Sequence, residues 1–183
     1  MSDLRNAQFA QQVGPPTGKS KLAAPVLWLA TACMGLMAGT FFTFANAVMP
    51  ALAKTDNRTF IDSMQQINRA IQNNTFGSVL AGAFIFTGAA AIIEHKLGKR
   101  TAARWVLASL ALYVVAIGIT MGINIPLNDQ LEAAGLPTDL NELARVRGAF
   151  EDPWNKWHLV RTIANVLAFG ALAGALVSHK RSN

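Results

Sequence analysis

His158, Arg161 and Asn165 stand at i, i+3 and i+7, which places an imidazole, a guanidinium and an amide on one face of a helix. Trp154 and Trp157 precede them, and the residues after Asn165 are almost wholly apolar up to His179. An arginine and a histidine thus enter what reads as the top of a membrane helix. Ionisable groups are costly at that depth, and they mark binding sites or proton relays. Asp152 and Pro153 read as the start signal of this helix, the first as its cap and the second at the first helical position.

Polar residues elsewhere fall at the same depth. One apolar run carries Thr40, Thr43 and Asn46 near its outer end. Another carries Thr120, Asn124 and Asn128, and a third opens with Asn73, Asn74, Thr75 and Ser78. The opposite halves of the runs are nearly pure Ala, Leu, Val, Ile and Gly. Polar groups facing lipid are penalised, so these groups are expected to converge into a polar pocket near the outer surface. Phe41, Phe42, Phe44, Trp154 or Trp157 would line it. Plainer roles exist for each residue. The tryptophans suit an interfacial belt, Arg161 can snorkel, and Thr and Asn can bond between helices. Asn124 with Pro126 also fits a kink or a helix end. No metal site is expected, because His158 is the only histidine near the pocket and no His-x3-His spacing accompanies it.

The elements that must position these residues are membrane spans. Hydrophobic residues make up 52% of the chain and charged residues 14%, against about 25% charged in a soluble domain. The apolar residues are bunched in long runs, which excludes a soluble enzyme. Four spans are expected, at about 23–53, 74–93, 105–127 and 153–177. They form an all-α domain over 22–178, between a disordered tail at 1–21 and a short tail at 179–183. The formal net charge of +6 does not point to nucleic acid, because the basic residues flank the runs instead of forming a patch.

The tails and the middle loop carry nine Lys and Arg with only Asp3 and Glu94 as acids. The positive-inside rule therefore predicts a plasma or inner-membrane protein with both termini cytoplasmic. The other two connections face outward. Phe60, Ile61, Met64, Ile67 and Ile71 follow helical spacing, with Thr59 or Asn57 as cap, and a second short helix starts at Leu136-Pro137-Thr138-Asp139 and ends near Phe150. Small-xxx-small patterns at Gly35/Gly39, Gly118/Gly122 and Gly170/Gly174 predict close packing within the bundle or between copies in a homo-oligomer. Cys33 reads as a buried small residue.

Three motifs carry a family resemblance: Gly39-Thr40 through Met49-Pro50, Asn124-Ile125-Pro126-Leu127-Asn128, and Trp154 through Arg161-Thr162. Over roughly 25–178 the chain resembles the anthrone oxygenase-like family of small four-helix membrane proteins. The resemblance implies oxidation of an anthrone to an anthraquinone with O2 and no evident cofactor. It maps onto Asn124, Asn128, Trp154, His158 and Arg161 here. The expected chemistry has neutral His158 as base, Arg161 with Asn124 or Asn128 on the enolate oxygen, and Trp157 with the Phe41–Phe44 group against flat rings. The alternative is a non-enzymatic membrane module that binds lipid, quinone or a partner membrane protein.

Overall fold

The computed structural model describes residues 18–181. Most of the expected tail at 1–21 lies outside the described residues. Its last residues do not form a tail, because helix α1 (Gly18–Thr43) already begins there. The chain is all-helical among the described residues. A π-helical turn, Phe44–Val48, joins α1 to the short α2 (Met49–Leu52). Then follow α3 (Asn57–Ile71), α4 (Asn74–Lys96) and α5 (Arg100–Ile119). A second π turn, Thr120–Asn124, leads into α6 (Ile125–Ala133), and α7 runs from Leu140 to Arg181. Among the described residues, four helical segments are long and apolar enough to cross a membrane.

Both π turns are followed by proline, Pro50 and Pro126. A proline ring collides with the carbonyl four residues back, and a wider turn relieves that collision without ending the helix. Met49 N accordingly reaches back five residues to Phe44 O, and Ile125 N to Thr120 O. The third span therefore does not stop near Leu127 but continues through the bend to Ala133.

The last helix differs more from expectation. Asp152 and Pro153 do not start it; they lie inside one continuous 42-residue helix. The short helix expected to end near Phe150 and the fourth span are one element. Its start is at Asp139, whose Oδ1 accepts from Asn141 N at 3.0 Å and Glu142 N at 2.9 Å. Proline is tolerated at 153 at the cost of one ladder bond, because the apolar stripe on either side stays in phase and holds both halves. Leu143, Val146, Phe150, Trp154, His158, Arg161 and Asn165 are all buried along it.

The bundle is a ring in which α1 packs on α4 and α7, and α5 packs on α4 and α7. Its core joins Leu27, Met34, Met37, Ala83, Val106, Tyr113, Ala168 and Leu172. Large apolar side chains such as Trp28, Ile85, Leu107, Val115, Ile163 and Leu167 point outward from its flanks. A surface of this kind belongs in lipid, and the chain is a membrane protein.

One end of the bundle, here termed the capped end, is covered by α3. This helix packs on α6 and α7 through Phe60, Ile61 and Met64, against Leu131, Leu143, Val146, Phe150 and Trp154. Its cap is Asp56, not Asn57 or Thr59. The Thr59 hydroxyl and amide both donate to the Asp56 carboxylate, at 2.6 and 3.0 Å, and hold it below the usual carboxylate pKa. Arg147 staples the α3 start to α7 by donating to Ala53 O, Thr55 O and Asn57 Oδ1.

The small-residue patterns are only partly used for close approach. A Cβ on Gly82 would meet Cys33 Sγ at 3.1 Å, and one on Gly35 would meet Phe169 at 3.1 Å. Gly39, Gly118, Gly122 and Gly170 have nothing within 4 Å. Gly82→Leu is therefore expected to destabilise by about 1–3 kcal/mol through overpacking. Gly118→Leu, on the lipid face, should change stability by less than about 0.5 kcal/mol. Thermal unfolding of the two variants in detergent checks the contrast.

Candidate functional site

The residues at the capped end are set by α7. Phe150, Trp154 and His158 follow at i+4 intervals, so their rings lie one above another. Trp154 stacks on His158 with centroids 4.6 Å apart, and Phe150 lies 5.9 Å from Trp154. Arg161 continues the column. Its guanidinium lies 4.6 Å over the Phe41 ring and 5.3 Å from that of Trp154.

His158 is buried and both its nitrogens are engaged. Nε2 lies 3.1 Å from the Phe41 carbonyl. A carbonyl only accepts, so Nε2 carries the proton. Nδ1 is then the acceptor, and it receives Arg161 Nε at 3.2 Å and Nη2 at 2.9 Å. The ring is neutral in this arrangement, and its lone pair is occupied by the neighbouring cation.

Arg161 does not snorkel. It is only 7% exposed, and among the described residues no carboxylate pairs with it. Its third protein bond runs from Nη1 to the Thr120 hydroxyl at 3.3 Å. A guanidinium has five N–H donors, so two remain for a ligand.

Both face a cavity of about 390 Å³, within the range of small-molecule sites. The site is at the capped end, between the four long helices and under α3. Thr40, Phe41 and Phe44 contribute from α1 and its π turn, Thr120, Met121, Ile125, Asn128 and Asp129 from the second bend and α6, and Trp154, His158 and Arg161 from α7.

The expected residues divide. Thr40, Asn128, Trp154, His158 and Arg161 line the cavity. Asn128 Oδ1 accepts from Trp154 Nε1 at 2.8 Å and so fixes the indole. Asn124 and Asn165 are fully buried behind the wall. Asn124 Nδ2 donates to Trp154 O at 3.3 Å, and Asn165 Nδ2 to Arg161 O at 2.7 Å. Thr43 and Asn46 point outward and Trp157 is half-buried outside the lining, as is exposed Phe42. The sequence reading missed Asp129, the one acid in the lining among the described residues, and Asn68 of α3. Asn68 is 8% exposed, and its Nδ2 has no partner. The signal for Asp129 was the proline at 126: a π turn before it inserts one residue, so the face that starts at Thr120 skips Asn124 and takes in Ile125 and Asp129 beside Asn128.

The family model described as anthrone oxygenase matches residues 64–171. No curated protein and no solved structure matches the chain.

Proposed function

We propose that this chain, which belongs to the anthrone oxygenase family, binds a flat, acidic polycyclic substrate in the capped-end cavity and oxidises it there with O2. The observation that carries this reading is Arg161, a buried cation that has no carboxylate partner among the described residues and keeps two donors for a ligand. Such a group favours an enolate or phenolate oxygen in a low-dielectric site. Phe41 and Phe44 supply aromatic walls for the rings.

His158 has its lone pair on Arg161, so we assign it the role of holding that guanidinium. Proton acceptance falls to Asp129, the carboxylate in the lining. In the proposed sequence Asp129 takes a proton from the activated ring CH2, and the electron pair delocalises onto the oxygen at Arg161. The carbanion gives an electron to O2, and the two radicals combine into a peroxide anion. That anion recovers the proton from Asp129. The hydroperoxide then loses water to leave the new carbonyl, so one CH2 and one O2 become one C=O and one H2O.

Asp129→Asn tests the assignment, because it keeps size and removes the base. Turnover of emodin anthrone should fall by about 10²-fold or more, while binding of the product quinone emodin is retained. Turnover at the wild-type rate would remove Asp129 from the mechanism. We further place the capped end on the outer side of a plasma or inner membrane, on the Lys and Arg asymmetry of the connections.

A further inference from the structure

The cavity has two kinds of boundary. Its roof is tied shut. Gln65 of α3 donates to Leu131 O at 2.8 Å and to Gly135 O at 2.9 Å, and Arg69 pairs with Glu132. Arg147 holds the other end of α3, with an N–H on Thr55 O at 2.9 Å. These bonds fix α3 across α6 and α7, so this boundary does not part without breaking them.

The side wall is different. The α4 helix packs along α5 but has no substantial packing against the second π turn or α6. The bend after Thr120 carries the chain away, and a slot is left between the two. On one lip stand Gly77 and Leu80, and on the other Met121 and Ile125, all four lining the cavity. Met121 is 53% exposed and Ile125 37%, on the apolar flank that lipid covers. Nothing lies within 4 Å of a Cβ built on Gly77. Above these lips the lining turns polar, with Gln72 and Asp129. Apolar lips below a polar rim suit the boundary between hydrocarbon and headgroups.

We propose that the cavity is loaded sideways from the lipid leaflet through this slot, and that its ligand class is a bilayer-dissolved amphiphile with an acidic head and an apolar body. The head passes the polar upper lip toward Arg161 while the body slides between Gly77 and Met121. The proposal rests on the substrate reading above only for the acidic head; the route itself does not depend on turnover.

The route is visible in association kinetics, since a blocked path slows loading without changing the bound state. The probe is emodin, which partitions into lipid and is not consumed. Its own fluorescence reports association with the full-length protein in phosphatidylcholine nanodiscs after rapid mixing. Gly77→Phe and Met121→Trp should slow association by about tenfold or more, with folding verified by circular dichroism. Gln65→Ala, which loosens the roof, should leave the rate unchanged. Association at the wild-type rate in both slot variants, or acceleration by Gln65→Ala, overturns lateral loading. Emodin anthrone turnover by the wild-type protein is measured in the same nanodiscs. Slot-dependent emodin loading without turnover retains the route and removes the oxygenase; turnover with slot-independent loading does the reverse.

Discussion

Arg161→Met is expected to lower anthrone turnover by about 10²- to 10³-fold, the usual cost of deleting one donor to a developing oxyanion. The same substitution should leave the fold as stable as the wild type or more so. Arg161 is buried with no carboxylate partner among the described residues, and it lies among Phe41, Trp154 and the bend at Thr120. Replacing an internal charge with an apolar side chain of similar length relieves its desolvation, which is often stabilising. The two effects have opposite signs. A residue kept for architecture would lose both activity and stability, and a residue kept for a ligand loses activity alone. Steady-state rates alongside thermal unfolding in the same detergent separate them. Arg161→Met with full turnover would remove the cation from the chemistry.

The second large effect is expected at the other end of the bundle, far from the cavity. Glu94 is fully buried, and its Oε1 lies 2.7 Å from His179 Nδ1. Lys99 donates to the His179 carbonyl at 3.1 Å. Helices α4 and α7 are diagonal in the ring and have no extensive packing with each other. The Glu94–His179 bond is thus a tie across the diagonal. Glu94→Ala leaves His179 without that partner and opens space in the core, and it should destabilise by about 3–5 kcal/mol, the range for breaking one side of a buried pair. Glu94→Gln, which keeps the volume and an acceptor, should cost less. Unfolding curves in detergent read both. A loss for Glu94→Ala within about 0.5 kcal/mol, the range of an ordinary surface change, would show that the diagonal is held by packing alone.

Much of this architecture was legible in the sequence because lipid imposes length. Runs without charge, such as the stretch between Lys21 and Lys54, mark helices whatever their partners. The amphipathic helix over α3 was legible for a similar reason: Phe60, Ile61, Met64 and Ile67 keep one face. The end of the third span and the start of the fourth were not, because proline was read as punctuation. In α7 the buried residues Val146, Phe150, Trp154 and His158 pass Pro153 without a change of phase, and that continuity outweighs the lost bond. The same effect displaced the site. Thr120, Asn124 and Asn128 share a face in a regular helix, but the π turn before Pro126 rotates the helix beyond it. Asn124 turns into the core and Asp129 turns into the cavity lining. Thr43 and Asn46 were misplaced by a related error. Steps of three residues drift around a helix by about 60° each, so a series that starts at Thr40 faces lipid two steps later. The partners of Glu94 were hidden too, since residues far apart in the chain meet only once the diagonal of the bundle is known.

The central claim is that the cavity around Arg161 oxidises an enolisable polycyclic substrate. The most direct measurement is the initial rate of quinone formation from emodin anthrone under air, with wild-type protein in lipid nanodiscs and with empty nanodiscs. Anthrones oxidise slowly by themselves, so the empty-nanodisc rate is the floor. The account predicts a wild-type rate well above that floor and proportional to protein. A rate equal to the floor at every protein concentration would contradict it.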